Sequence, residues 1–288
     1  MGQPARRTAR RRRLGAALKE AREAASVTPD QAAQAIHGDK PKISRIETGR
    51  HRITRLEIDT LLNLYEVKDD KLREWLIALS AEGRKRMWWR QHSDVLQPEF
   101  KELLTLEADA KRIAAFQPQI IPGLLQTKAY AAAVIRASDV RLADDEVEFF
   151  ANFRIERQAV FQKEDPPQYL CILTEGVLRQ QVGGKRVMAE QLRHLVRVSR
   201  PPTTTIQVIP FEQGGYTGTN GAFVLYSYPD PLDLDVVQVE YLGGSLYLEE
   251  DRPVRKYQDA MDGLRTAALS SRQSMELISS IARDFEHE

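Results

Sequence analysis

The sequence is poor in cysteine. Its single thiol, Cys171 among 288 residues, excludes an internal disulfide framework and any cysteine-rich metal site. Cys171 lies in YLCIL, an apolar run that reads as a buried strand, so an inert core thiol fits better than a reactive one. Long hydrophobic runs are missing too. None approaches the ~18 apolar residues of a membrane span, and the arginine-rich start has no hydrophobic region behind it, as a secretion signal needs. The expected place is the prokaryotic cytoplasm, in association with the nucleoid. Histidine is scarce, with 5 in the chain. His194, in QLRHLVRV, falls at the boundary of a helical apolar stripe and reads as structural. No H-x-K pair, H-E-x-x-H, G-x-S-x-G or C-x-x-C occurs, so phosphodiesterase, zinc-peptidase, hydrolase and redox chemistries lack their residues. VGGKR at 182–186 lacks the spacing of a P-loop, and a surface turn explains it better. The chain is therefore not read as an enzyme, and no catalytic residue, metal ligand or cofactor is expected.

What is present is a charge asymmetry. The whole chain holds 42 Lys/Arg against 41 Asp/Glu, yet residues 1–58 hold 14 of the cations and only 6 of the acids. A basic N-terminal fifth on a mildly acidic body suggests an anionic partner for the first part alone, and double-stranded DNA comes first. Residues 1–13 carry Arg6, Arg7 and Arg10 to Arg13 with no acid. That run is an arm following phosphates or reaching a minor groove, a solubilising tail, or the start of the first helix; the arm is preferred. The length and an apolar content of 42% suit two domains with ordinary cores.

The stretch from Val27 to Arg50, VTPDQAAQAIHGDKPKISRIETGR, organises the basic part. Thr28 is a good N-cap, Gln31 completes a capping box, and Pro29 takes the first helical position. Ala32, Ala33 and Ile36 form an apolar stripe at helical spacing. Gly38 can supply a left-handed turn, and Asp39 can cap the next helix. That second helix puts Ile43 and Ile46 inward and leaves Lys40, Lys42, Ser44 and Arg45 on or near its outer face. Two short helices, the second with cations and hydroxyls at its start, suit a DNA major groove.

Residues 14–64 resemble the lambda-repressor-like helix-turn-helix (XRE) family, on Ala33, Ile43-Ser44-Arg45-Ile46-Glu47 and Gly49. The resemblance implies a five-helix domain and an operator-binding role. It also implies that Glu47 is structural, paired with a basic residue of helix one. The family's turn glycine falls at His37 here and glycine comes one position later, so Asp39 and Lys40 both stand as candidates for the cap. Around this core, Leu14, Ala17, Leu18, Ala21 and Ala25 form the stripe of helix one. Leu56, Leu61, Leu62 and Leu64 are expected to continue the core, and Asp69 or Asp70 to start a helix through Trp75, Leu76 and Leu79. Lys40, Lys42, Ser44 and Arg45 are the expected base readers. Gln31, Arg50 and Arg52 are the expected phosphate clamps.

Residues 81–95, with a glycine, a basic cluster and Trp88-Trp89, read as a linker between a domain at 14–80 and another at 96–288. From Phe100 to Phe161 the pattern is helical, including 107–116 with Ile113 and Phe116 inward. Strands are expected at QYLCIL, TTIQVIPF, GAFVLYSY and DVVQVEYL, with a helix over 187–199 and closing helices over 253–269 and 271–286. The expected fold is mainly α with α+β: the small helical domain, then a larger α+β effector domain with a small mixed sheet and C-terminal helices. PGLLQT at 122–127, RIERQ at 154–158, TEGVLRQQVGG at 174–184, MAEQL at 188–192, IQVIP at 206–210 and VVQVEYL at 236–242 resemble the C-terminal domain of unknown function of actinobacterial antitoxin-like XRE regulators. That resemblance implies a transcriptional regulator, commonly encoded beside a small partner protein.

Gln126, Arg154, Arg157, Glu175 and Glu240 are polar groups set in apolar motifs. They are candidates for an effector pocket, each with an ordinary cap or buried ion pair as the alternative. The expected function is sequence-specific transcription regulation by a homodimer, with the C-terminal domain sensing an unknown small molecule or a small partner protein. The competing reading is an antitoxin-like protein that sequesters such a partner and binds DNA to regulate itself.

Overall fold

The structure, a computed structural model, describes residues 9–80, 98–218, 220–228, 235–242 and 244–287. The linker with Trp88 and Trp89 and the first residues of the basic arm lie outside them. The chain divides into two compact units, 1–103 and 104–288.

Among the described residues, five helices lie wholly within the first unit: α1 (Ala9–Ala24), α2 (Pro29–Ala35), α3 (Lys40–Glu47), α4 (Arg55–Leu64) and α5 (Asp70–Ser80). Helix α1 begins at Ala9, so Arg10 to Arg13 are helical and not part of an extended arm. Thr28 and Gln31 form the reciprocal capping box of α2, and Thr54 with Glu57 repeats it at α4. Asp39 caps α3 by accepting from the Lys42 N–H, which settles the choice between Asp39 and Lys40. The core joins Leu14 and Leu18 to Ala32, Ala33, Ile36, Ile43, Ile46, Ile53, Ile58, Leu61, Leu62, Tyr65, Leu76 and Leu79. Leu56 departs from expectation and is exposed, because α4 turns Ile58, Leu61, Leu62 and Tyr65 inward at i, i+3, i+4, i+7 spacing and leaves Leu56 off that stripe.

The turn after α2 also departs from the sequence reading. His37, not Gly38, takes the left-handed conformation, at φ 51°. The Gly38 N–H then donates to Ala33 O and the His37 N–H to Gln34 O, the paired bonds of a Schellman cap. Gly38 serves space instead, since a Cβ there would stand 2.9 Å from Lys42 Cδ. Gly15 marks the closest approach of α1 to α3: a Cβ at that position would lie 2.5 Å from the carbonyl oxygens of Ile46 and Glu47.

The second unit contains a six-stranded mixed sheet in the order β3-β2-β1-β4-β5-β6. Its strands are β1 (Arg112–Gln117), β2 (Gln168–Thr174), β3 (Thr204–Ile209), β4 (Phe223–Ser227), β5 (Val236–Tyr241) and β6 (Gly244–Leu248). β1, β2 and β3 run parallel, whereas β1–β4, β4–β5 and β5–β6 are antiparallel. Helix α6 (Pro98–Asp109) precedes β1. Helices α7 (Lys128–Ser138) and α8 (Asp144–Arg157) cross from β1 to β2, while α9 (Glu175–Arg179) and α10 (Lys185–Val198) cross from β2 to β3. Helices α11 (Asp251–Ala267) and α12 (Ser271–His287) close the unit.

β1 replaces the helix expected over 107–116. It is the central strand, with Phe116 packed among Ile172, Phe223, Leu225 and Val237 under Val254, Met261 and Leu264 of α11. Ile113 and Ala115 are buried on the opposite face. A strand covered on both faces shows no polar alternation, so RIAAFQ is indistinguishable by pattern from a helical segment. β6 is the second unexpected strand; it begins at Gly244, past the strand expected at DVVQVEYL. The outer edge of β3 is closed by the α11–α12 junction: Val208 N–H donates to Ser274 Oγ, and Leu269 N–H donates to Val208 O. Among the described residues, no helix is long and apolar enough to cross a membrane.

Candidate DNA-binding surface and a buried charge cluster

The first turns of α2, α3 and α4 converge, and two lysines show it. Lys40 Nζ, in the first turn of α3, stands 3.4 Å from Asp30 in the first turn of α2. Lys42 Nζ reaches Glu57, in the first turn of α4, at 2.6 Å. The starts of three helices therefore lie close together, each with an acid beside it, Asp30, Asp39 and Glu57. Lys40 and Arg45 are exposed: Arg45 rests its Nε–H on Pro41 O and lies 3.8 Å from Asp39. Exposed pairs like these are weak and exchange readily for phosphate or base contacts. Ser44, Arg50 and Arg52 are exposed as well, and Arg52 lines a small cavity with Arg11 and His51 over Leu14, Ile46, Ile53 and Leu79. Gln31 is exposed, but its Oε1 is occupied by the Thr28 cap.

Lys42 differs from the other expected readers, because it is part-buried and engaged by Glu57. Burial opposes ionisation of Glu57, yet the hydrogen bonds from Lys42 and Thr54 outweigh it and hold the carboxyl below its ordinary range. A carboxyl whose folded pKa is depressed stabilises the fold fully above the ordinary carboxylate range, and that contribution fades as pH falls through the folded pKa. Glu57→Gln is accordingly expected to lower stability at neutral pH while making the acid limb shallower, read as thermal midpoints from pH 7 down to pH 3. An acid limb as steep as that of the parent chain would refute the assignment.

Glu47 faces α1, not the exposed surface. Arg22 Nε donates to Glu47 Oε1 at 2.6 Å and Nη2 to Oε2 at 3.2 Å, with both side chains at most about one-tenth exposed. Arg22 Nη1 also donates to Val27 O. The bidentate bond to Glu47 raises the Arg22 pKa against the opposing effect of burial. This pair fastens the end of α3 to α1.

The second unit has its own charge cluster, on the sheet face away from α11. Glu107 of α6 receives both arms of Arg157, with Arg157 Nε donating to Oε2 at 2.6 Å and Nη2 donating to Oε1. One helical turn earlier on α8, Arg154 Nη1 donates to Gln126 Oε1 at 2.8 Å. Gln126 is almost fully buried and donates in turn to Ile121 O. Gln158 Nε2 donates to Gln126 O, and a Cβ on Gly123 would stand 3.3 Å from Arg157 Nη1. From the sheet, Tyr226 Oη donates to Gln238 Oε1, and Gln238 Nε2 donates to Glu240 and to Ser245 Oγ.

A family model described as a domain of unknown function (DUF5753) matches residues 100–280. The chain belongs to the DUF5753 family. A second model, a helix-turn-helix domain, matches residues 13–76. No curated protein and no solved structure matches the chain. The chain is thus a helix-turn-helix protein of the kind that regulates transcription, with a DUF5753 domain behind the DNA-binding unit.

Within the DUF5753 domain, four of the five expected pocket residues lie in one electrostatic neighbourhood. Arg154 and Arg157 both feel Glu240, and Gln126 binds Arg154. Glu175 stands apart: it accepts from Arg179 and from the Phe211 N–H, fixing the start of α9 to the segment after β3. The sequence reading does not single out Glu107, whose one local signal is an acid flanked directly by Leu106 and Ala108 in LLTLEADA. Cys171 is fully buried, and burial pushes its thiol well above the ordinary range, as an inert core residue requires.

Proposed function

We propose that the chain is a sequence-specific DNA-binding transcription regulator, acting as a homodimer on an inverted repeat, with the DUF5753 domain as its sensing part. The observation that supports this most is the exposed set Lys40, Ser44 and Arg45 at the start of α3, where the first turns of three helices meet. An eight-residue α3 spans about 12 Å and reads only a few base pairs. Two copies on two half-sites supply the rest of the specificity. Lys40, Ser44 and Arg45 read bases, Arg50, Arg52 and Gln31 hold phosphates, and Lys42 positions α3 through Glu57.

The test begins with selection of bound sites from random duplexes, followed by titrations on the selected site and a scrambled one at two salt concentrations. Arg45→Ala is expected to weaken the selected site by about 1–3 kcal/mol and to leave the scrambled site nearly unchanged. Arg52→Ala is expected to weaken both alike and flatten the salt dependence. Equal affinity of the parent chain for every duplex would sink the proposal, and a sequence-selective loss at Arg52 would remove it from the phosphate role.

A further inference from the structure

The two ends of the sheet are finished differently. The β3 end is sealed by Leu269 and Ser274 of the α11–α12 junction, whereas among the described residues no strand follows β6. The hairpin at that second end also carries apolar surface that the fold does not bury. Tyr241, Leu242 and Leu246 are all exposed there, Leu246 at 51%. Leu56, Val140 and Phe211, exposed elsewhere, stand singly in the sequence. Single exposed apolar residues are ordinary, whereas a cluster marks a surface that meets something.

The strand register gives this cluster a direction. Leu246 lies opposite Val239, and Val239 and Leu248 pack on the core beneath α11. Side chains alternate along a strand, so Leu246 and Tyr241 continue that apolar layer to the rim of the sheet. Gly244–Leu248 contains no charge and no proline, the residues that usually guard an outer strand against association. Acids come only after it, with Glu250 and Asp251 both exposed. Two such strands side by side in parallel would bring those acids together. Antiparallel, they keep the acids of the two copies at opposite ends, and Leu246 faces its own counterpart across a two-fold axis. One surface then serves both sides, as an isologous interface requires.

We infer that the β5–β6 hairpin is the homodimer surface, with β6 antiparallel to β6 of a second copy and Leu246 at the two-fold axis. This inference rests on the homodimer proposed above and gives it its interface. So short a contact is weak alone, and the two half-sites of an inverted repeat add the avidity that it lacks.

The experiment is mild oxidation of the full chain carrying Leu246→Cys, with and without the selected inverted repeat. Directly opposite residues of an antiparallel pair stand about 4.5–5.5 Å apart at Cα, within disulfide reach. The native Cys171 is buried, so the introduced thiol is the accessible one. Leu242→Cys is the control, since strand rise places it roughly 26 Å from its counterpart in this arrangement. Leu246→Cys is expected to give a covalent dimer and Leu242→Cys far less. Leu246→Lys, at a half-exposed site, is expected to keep the parent's circular dichroism and its affinity for a single half-site, and to lose about 10²-fold on the inverted repeat. Equal cross-linking of both cysteine variants, or of neither, overturns the inference, as does undiminished affinity of Leu246→Lys for the inverted repeat. Sedimentation of the parent chain on the duplex then separates the two failures. A parent dimer leaves the homodimer reading standing with its surface elsewhere. A parent monomer fails that reading too and leaves the hairpin to a strand of another protein.

Discussion

Glu47→Ala is expected to destabilise the helix-turn-helix unit by about 3–5 kcal/mol, because it leaves the Arg22 guanidinium buried without its partner. Both groups are nearly inaccessible, the other carboxylate near Arg22 is the exposed Glu23 at 3.6 Å, and Tyr65, whose phenol is raised first by burial and then by the Glu47 charge, lies within the field of the pair. The loss should appear as early exchange of the amide hydrogens of α1 to α5, with those of the sheet unaffected. DNA binding should fall with it, although Glu47 faces away from the exposed surface. The double variant Arg22→Met, Glu47→Leu separates packing from charge. Apolar groups of similar volume replace a buried ion pair at little cost, so the double variant should recover most of the stability. A single variant within about 0.5 kcal/mol of the parent would place the pair among surface interactions of no consequence.

The second large effect lies in the DUF5753 domain. Glu107→Ala removes the carboxylate that neutralises Arg157 and leaves two guanidiniums one turn apart on α8. A loss of about 3–5 kcal/mol is expected, confined to the sheet and its helices and read again by hydrogen exchange. Glu107→Gln keeps an acceptor but not the charge, so its loss should be smaller. Arg154→Gln placed on the Glu107→Ala background should restore part of the stability by relieving the repulsion between the arginines. Strict additivity of those two changes would show that the arginines do not sense each other.

Much of the helix-turn-helix unit is legible in the sequence because local chemistry decides it. Thr28-Pro29 with Gln31, and Asp39 before α3, write their caps in residues three positions apart. The left-handed residue falls at His37 and not at Gly38, because backbone handedness follows the Schellman geometry while the glycine is needed to clear Lys42. The sheet is less legible where tertiary contacts decide it. β1 carries two alanines and no alternation, since layers cover both of its faces, and only its neighbours make it a strand. The charge cluster is half visible. Arg154 and Arg157 are visible as the two cations of α8, but nothing local ties them to Glu107, which comes from another helix.

The position of β1 also sets the order in which a growing chain becomes complete. Its partners are β2, at 168–174, and β4, at 223–227, and the edge of β3 waits for Leu269 and Ser274. The DUF5753 domain therefore cannot close until residue 274 has left the ribosome. Among the described residues, the buried core of the first unit runs from Leu14 to Leu79, and domains fold in turn as they emerge. The surface that would meet DNA is finished long before the domain that would govern it.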